Sequence, residues 1–367
     1  MDAAQAEATW LDDFALFMAL KDAHEGSCWL TWDPEFREGH QASLVRAREQ
    51  LADEIEQHRF RQFLFFRQWH ALRAYAHSQG VKLIGDVPIF IALDSADAWS
   101  HPDYFQLDRH HHPRAVAGVP PDYFSVTGQL WGNPLYNWNR LQQTGYAWWV
   151  DRMRAAMKMV DLVRVDHFRG FEANWSVPAG SQTAKDGQWI KGPGAKLFEA
   201  MGQRLGPLPI LAEDLGSITP EVYELMERYQ FPGMRVLQFA FSDAQEGRFL
   251  PHHYVRNTVV YTGTHDNDTT RGWYASTTAM ERALLQRYLG QACDEKSASW
   301  MLMRLAWASV ANLAVAPLQD ILNLGSEARM NFPGRSAGWW RWRYQKNQLT
   351  SALLDRLGEM TETFQRN

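Results

Sequence analysis

The stretch DLVRVDHFRGF (residues 161–171) joins a short apolar run to a cluster of charged side chains. Continuous apolar runs of this length are typical of parallel strands that are covered on both faces. Arg164 and Asp166 stand two residues apart, so their side chains should lie on the same side of the strand. An arginine beside a carboxylate keeps the carboxylate ionised and in place, which suits a nucleophile. The alternative for this pair is an ordinary buried ion pair.

Five more stretches have the same strand character, and helical periodicity separates several of them. The further strand candidates are VKLIGDVPIFIAL (81–93), LPILAED (208–214), RVLQFAF (235–241), NTVVYTG (257–263) and NLAVAPL (312–318). Helices are predicted over residues 11–24, 43–77, 144–160, 194–205, 220–229, 280–289, 297–313 and 344–364. Alternation of strands and helices predicts an α/β fold, either a barrel or an open doubly wound sheet.

The polar side chains at the strand ends favour a barrel, because a (β/α)8 barrel carries its active site at the carboxyl ends of its strands. A doubly wound nucleotide-binding sheet would show a glycine-rich phosphate loop, and the sequence contains neither GxGxxG nor GxxxxGK[ST]. We therefore predict an α/β fold of the TIM (β/α)8 type. The polar residues that follow the strand candidates are Asp86, Asp166, Glu213, Asp266, Asp268, Gln319 and Asp320.

The segment 92–145 is rich in Pro, Gly, Asp and aromatic residues and has no helical periodicity. A loop of this length in a compact domain is either functional or disordered. Seven aromatic residues between Tyr104 and Trp138 argue against disorder. We predict an inserted loop region that packs over the barrel mouth, within a single catalytic domain spanning residues 1–367.

The charge and composition of the sequence indicate which binding partners and which cellular location to expect. With 37 basic and 42 acidic residues the net charge is −5, which predicts no general attraction to nucleic acid or to an anionic membrane. The run WWRWRY (339–344) could stack on nucleic acid, but its surroundings favour packing. No apolar run approaches membrane length and the first residues do not resemble a secretory signal, so a cytoplasmic location is predicted. Cys28 and Cys293 are predicted to be buried free thiols.

Three carboxylates on separate strand ends suit retaining glycoside chemistry. In this chemistry one carboxylate attacks the sugar carbon and a second protonates the leaving oxygen. Asp166 suits the first task, and Glu213, part-buried beside other acids, suits the second because its pKa would be raised. Asp266 could stabilise the charged transition state. The run HDND (265–268) could also suggest a metal site, but it lacks the usual ligand spacing, so we predict no metal and no cofactor.

The motifs RVDHFRGF (164–171), LAEDLG (211–216) and YTGTHDNDT (261–269) closely resemble the active-site motifs of the 4-α-glucanotransferases called amylomaltase or disproportionating enzyme. The stretches at 85–99, 117–138 and 325–334 are also similar to that family, and the resemblance runs from Trp10 to the C-terminus. It implies transfer of a maltooligosaccharyl unit from one α-1,4-glucan to the 4-hydroxyl of another. Maltooligosaccharides or other α-1,4-glucans would be the partners, and no cofactor would be needed.

The resemblance also implies a role for each matching residue. Asp166 would be the nucleophile, Glu213 the acid/base and Asp266 the stabiliser of the transition state. The implied substrate-binding residues, in the cleaved subsite, the loop over bound glucan and the segment after the last strand, are Arg164, His265, Asp86, Asp122, Trp131 and Asn331.

One departure from the family pattern concerns the strand count, since six strand candidates are present where a barrel has eight. We therefore expect an incomplete barrel without the family's first two strands, whose exposed core and unpaired edges would favour self-association. Two other functions stay open at this point: an α-amylase-type hydrolase, which shares the carboxylate arrangement, and an inactive glucan-binding protein. The helical C-terminal residues favour the transferase over the hydrolase.

Overall fold

The computed structural model describes residues 9–121, 125–242, 247–335 and 337–366. The chain forms two compact units, the first ending at Tyr229 and the second beginning at Gln230. Within the described ranges, no helix combines the length and the hydropathy needed to cross a membrane. Each unit contains a parallel sheet, and the first also contains an antiparallel one.

The bounds of the strands and helices are as follows. The strands are β1 Ile84–Pro88, β2 Ala115–Val119, β3 Gln129–Pro134, β4 Leu162–Asp166, β5 Ala173–Pro178, β6 Gln188–Lys191, β7 Ile210–Ala212, β8 Gly233–Val236, β9 Thr258–Tyr261 and β10 Leu313–Val315. The helices are α1 Leu11–Ala23, α2 Pro34–Arg37, α3 Gln41–Gln50, α4 Ala52–Ser78, α5 Ala96–Ser100, α6 Trp138–Gln143, α7 Ala147–Met159, α8 Ala195–Leu205, α9 Pro220–Arg228, α10 Thr270–Ser276, α11 Ala279–Leu289, α12 Ala298–Ala308, α13 Leu318–Ile321 and α14 Ser351–Thr363.

The parallel sheet of the first unit has the order β1-β4-β7 and places the predicted acids at the strand ends. Asp86 in β1 pairs in register with Arg164 in β4, and Pro88 pairs with Asp166. Glu213 follows directly after β7, the neighbour of β4. Since the strands are parallel, these carboxyl ends meet at the same edge of the sheet. Val160 packs closely against Gly85 of β1. A Cβ added at position 85 would lie only 2.7 Å from Val160 Cγ1, so the packing requires glycine there.

The antiparallel sheet of the first unit has the order β3-β2-β5-β6 and was not predicted from the sequence. Two of its strands, β2 and β3, lie in the segment 92–145, which also contains the short helices α5 and α6. The prediction that this segment lacks helices was therefore wrong. Helices of five and six residues are too short to show a periodic apolar face, so their capping residues Ser95 and Asn137 were the available signals.

Helices α1 to α5 enclose a separate aromatic core in the first unit. Phe17, Trp29, Trp32 and Trp99 are buried there together with aliphatic side chains of α1. The single long helix predicted over 43–77 is two helices, α3 and α4, which meet at Leu51. Residues 43–77 contain neither glycine nor proline, so the sequence gives no signal of the break.

The second unit contains the parallel sheet β10-β9-β8 and the helices α10 to α14. The strands β8 and β9 are buried, and the tail helix α14 packs Met360 against Trp300 and Met303 of α12. Each of the six predicted stretches contributes to a parallel strand, three in each unit. The prediction for RVLQFAF (235–241) was right only at its first two residues, because Leu237–Phe241 forms a 3-10 helix after β8. Each sheet is open within the described residues. Cys28 and Cys293 are both free, as predicted, although Cys28 is only part-buried.

Candidate active site

The first unit holds Asp86, Arg164 and Asp166 in one ion-paired group at the carboxyl end of its parallel sheet. Arg164 Nη1 donates hydrogen bonds to Asp86 Oδ2 at 2.6 Å and to Asp166 Oδ1 at 3.0 Å. Arg164 is buried, whereas both carboxylates are partly exposed. Burial lowers the pKa of the guanidinium, but the charges of Asp86, Asp166 and Glu213 outweigh it and raise the pKa overall. The arginine is therefore a fixed cation between two accessible carboxylates.

Glu213 lies beside this group and is held by the main chain. Its Oε2 accepts a hydrogen bond from His167 N–H at 2.7 Å, and its Oε1 accepts one from Leu215 N–H at 2.7 Å. Its own backbone N–H donates to Val165 O at 3.1 Å and so continues the β4–β7 pairing. With 8% of its surface exposed, the carboxyl group has almost no contact with bulk water.

The environment of Glu213 raises its pKa to about 7. Burial is the largest cause, and the negative charge of Asp166 acts in the same direction. The charge of Arg164 and the two backbone N–H bonds oppose the shift without cancelling it. A carboxyl group with this pKa can donate a proton near neutral pH and take one back when its surroundings change.

His167, the residue after Asp166, connects Glu213 to Trp131. Its backbone is left-handed, with φ 50°, and this conformation directs its N–H at Glu213. Its buried ring meets the Trp131 ring edge-on at 4.7 Å between centroids. Burial and the nearby Arg169 lower the pKa of the imidazole to about 3, so the ring is neutral at physiological pH. Trp131 itself has 36% of its surface exposed.

Arg169 supports the loop after Glu213 and was missed by the sequence reasoning. Its Nη1 donates to Ser217 O, and its guanidinium lies 3.6 Å from the centre of the Trp189 ring. Burial lowers the pKa of this arginine. The available signal was its place in RVDHFRGF, where it follows Asp166 by three residues.

In the second unit, Asp266 is held by the segment that follows α13. Its Oδ1 accepts a hydrogen bond from Asn331 Nδ2 at 2.7 Å, and its carbonyl oxygen accepts one from Arg329 Nη2 at 2.6 Å. Asn331 N–H donates to His265 O at 3.1 Å, and His265 Nε2 lies 3.4 Å from Asp266 Oδ2. The structure therefore brings together the three residues predicted from this part of the sequence. Arg329 joins them and had not been predicted.

The other acids at the strand ends of the second unit have structural partners. Asp320 is fully buried and accepts hydrogen bonds from Thr262 Oγ1 and from the N–H and Oγ1 of Thr270. Burial raises its pKa. Asp268 accepts hydrogen bonds from Ser326 Oγ and Thr269 N–H. These contacts fix the loop on which His265 and Asp266 lie.

The predictions for Asp122 and for a metal site remain to be compared with the structure. Asp122, predicted to bind substrate, lies outside the described residues. The described part of the chain contains no group of three or more His, Cys, Asp or Glu side chains that could hold a metal ion.

Comparisons with known proteins agree with the predicted family. A family model described as 4-alpha-glucanotransferase matches residues 3–350. The 4-alpha-glucanotransferase of Thermus thermophilus is 52% identical over 99% of this chain and 74% of its own length. The 4-alpha-glucanotransferase of a Synechocystis strain is 50% identical over 99% of this chain and 72% of its own length.

Solved structures of amylomaltases have a fold similar to that of this chain. Amylomaltase from Streptococcus agalactiae, solved in complex with acarbose, superposes with a TM-score of 0.93 at 37% identity, covering 98% of this chain and 73% of that one. Amylomaltase from Corynebacterium glutamicum superposes with a TM-score of 0.69 at 20% identity, covering 97% of this chain and 53% of that one, and shows likeness of fold alone. Sequence and fold agree, and the chain belongs to the 4-alpha-glucanotransferase family and has its enzymatic function.

Proposed function

We propose that this chain moves a maltooligosaccharyl unit between α-1,4-glucans by a retaining double displacement on Asp166 and Glu213. The observation that carries the proposal is the buried Glu213, whose pKa is raised to about 7 beside the arginine-paired Asp166. Asp166 is thus bonded to a cation, whereas the buried Glu213 can carry a proton near neutral pH. Retaining glycoside chemistry needs this division of tasks.

In the first step, an Asp166 carboxylate oxygen attacks the anomeric carbon of the donor glucan. The glycosidic C–O bond breaks, and Glu213 gives its proton to the leaving oxygen. The products are a glycosyl ester on Asp166 and a shortened glucan. The hydrogen bond from Arg164 holds the Asp166 carboxylate in place for this attack.

In the second step, the 4-hydroxyl of an acceptor glucan or of glucose attacks the anomeric carbon of the glycosyl ester, and Glu213 takes the hydroxyl proton. The bond between the anomeric carbon and the Asp166 oxygen breaks, which frees the Asp166 carboxylate. Esterification removes the negative charge of Asp166, which is one of the two causes that raise the pKa of Glu213. The pKa of Glu213 therefore falls once the intermediate has formed, and the group changes from acid to base. Atoms and charge balance over the two steps without a cofactor.

The remaining site residues would bind and stabilise the sugar. Asp266, held by Asn331, would stabilise the positive charge that develops at the anomeric carbon. Asp86 and His265 would accept or donate hydrogen bonds at sugar hydroxyls, since both are partly exposed. Trp131, together with Asp122, would cover bound glucan, and the edge-on contact with His167 would orient its indole.

We also infer that the parallel strands belong to a (β/α)8-type barrel. Each parallel sheet carries its polar residues at the carboxyl ends of its strands, and helices connect successive strands. The superposition on the Streptococcus agalactiae amylomaltase supports the inference. The absence of two strands, and the self-association expected from it, stay predictions.

The proposal is tested by incubating the purified chain with maltotriose and separating the products. We expect glucose together with maltopentaose and longer chains. Asp166→Asn should lose this activity by at least about a hundredfold, because the nucleophile is gone. Asp53→Asn, which changes an exposed carboxylate in the first turn of α4, is the matched control and should keep full activity.

The product pattern separates the three functions. Glucose and maltose without longer chains would identify a hydrolase and contradict the proposal. A folded protein that binds maltoheptaose without forming products would be a glucan-binding protein. Longer chains formed equally by Asp166→Asn would show that Asp166 is not the nucleophile.

A further inference from the structure

Trp340 is an exposed aromatic residue beside His265 that the mechanism does not use. It has 59% of its surface exposed, and its ring centre lies 5.1 Å from that of His265. Its backbone is left-handed, with φ 62°. A bulky residue rarely adopts this conformation, because the Cβ crowds the neighbouring carbonyl oxygen. The fold therefore keeps a large apolar side chain in water on an unfavourable backbone.

The backbone of Trp340 is tied to the segment that holds Asp266. Its N–H donates a hydrogen bond to Met330 O at 2.8 Å. The residues on either side of Met330 are Arg329 and Asn331, which donate to the main chain and side chain of Asp266. A short chain of hydrogen bonds thus fixes the backbone of Trp340 relative to Asp266. Strained backbone of this kind persists where the surrounding structure determines it, and it concentrates at functional sites.

We propose that Trp340 binds one glucosyl unit of an α-1,4-glucan by stacking its indole on the apolar face of the sugar ring. This inference rests on the proposed function, because it places a further sugar-binding residue next to His265. The His265 ring lies against the indole at an interplanar angle of 42°, and the exposed part of the indole offers a flat, rigid apolar surface with few rotatable bonds. The glucosyl unit on Trp340 lies next to the unit that His265 contacts.

The experiment compares Trp340→Ala, Trp340→Phe and Trp340→Gly in maltotriose disproportionation. Trp340→Ala should raise KM on the order of tenfold, the effect of losing one aromatic contact, with kcat changed less than about threefold. Trp340→Phe should keep KM within about threefold, since a phenyl ring still stacks. Trp340→Gly should raise KM as much as Trp340→Ala, and its unfolding midpoint should not fall, because glycine relieves the strained φ.

A KM for Trp340→Ala equal to that of the unsubstituted chain would overturn the inference. A drop in kcat at unchanged KM would also overturn it, because the residue would then act only by positioning His265. Tyr75→Ala, which removes an exposed aromatic side chain from α4, is the control and should change neither constant.

A binding experiment separates this inference from the proposed function. Calorimetric titration of maltoheptaose into Asp166→Asn, with and without Trp340→Ala, needs no turnover. We expect the second substitution to weaken binding on the order of tenfold. If the unsubstituted chain forms no longer glucans, the proposed function fails, and this titration still decides the role of Trp340. Equal affinities would refute the stacking role while leaving the transferase activity intact.

Discussion

At the scale of single residues, burial distinguishes the two carboxylates of the first unit. Glu213 and Asp166 are both carboxylates at strand ends, yet Glu213 is buried and Asp166 is partly exposed and bonded to Arg164. Burial penalises the charged form of Glu213 and raises its pKa to about 7. The difference in environment, rather than residue type, is the basis on which the proposed mechanism assigns the two roles.

This difference predicts a pH limit on activity. The first step needs protonated Glu213, so kcat/KM for maltotriose should fall as the pH rises above about 7. Glu213→Gln should lower kcat by about a hundredfold to ten-thousandfold and remove this alkaline limb. The measurement is kcat/KM between about pH 5 and pH 9.

The control is Glu224→Gln, which changes an exposed glutamate of α9 and should keep the fall in kcat/KM at alkaline pH. An alkaline limb that persists unchanged in Glu213→Gln would assign it to another group.

The site residues that could be predicted from the sequence are those whose chemistry is carried by their own side chains. Asp166, Glu213 and Asp266 follow apolar strands and could be located by that rule. His167 and Trp340 could not, because their roles depend on left-handed backbone conformations that nothing in their residue types requires. Arg329 was missed for a related reason, since its partner is the carbonyl oxygen of Asp266 and not a side chain.

At the scale of secondary structure, short parallel strands were predictable and the antiparallel sheet was not. The six parallel strands are short, and apolar residues dominate most of them. β4, β7, β8 and β9 are largely buried, as an apolar run predicts, whereas β1 and β10 are partly exposed. Strand β3 contains exposed residues at its first four positions, and β6 is largely exposed as well. Such strands lack the alternation or apolar run that identifies a strand in a sequence. Their pairing with β2 and β5 holds them in place, and that pairing is a tertiary feature.

The loop between β9 and α10 depends on Asp320 in α13. Asp320→Ala would leave three donors on Thr262 and Thr270 without an acceptor in a buried site, at a cost on the order of 3 kcal/mol in the free energy of unfolding. We also expect kcat to fall, because the same loop holds Asp266. Urea denaturation at neutral pH measures the loss of stability, and maltotriose turnover measures the effect on the site.

Two comparisons make the Asp320 prediction specific. Asp320→Asn keeps one acceptor oxygen and should cost less than Asp320→Ala. Asp355→Ala changes an exposed aspartate of α14 in the same unit and should alter the unfolding free energy by less than about 0.5 kcal/mol. If Asp320→Ala unfolded at the same urea concentration as Asp355→Ala, the buried hydrogen bonds would contribute nothing to stability.

At the scale of the whole molecule, the net charge of −5 and the uncharged substrate imply that long-range electrostatics does not guide binding. The charges that the proposed mechanism uses are held within hydrogen-bonding distance, as between the buried Arg164 and the partly exposed Asp166, and a directly bonded, partly buried pair is screened less by salt than distant surface charges are. We therefore expect the KM for maltotriose to change less than about twofold between roughly 20 and 300 mM sodium chloride. A polyanion-binding protein would behave differently, because each phosphate contact releases a counterion and makes affinity fall steeply with salt. A KM that rose tenfold or more over this range would show that charge attraction contributes to substrate binding, and it would contradict a neutral glucan as the substrate.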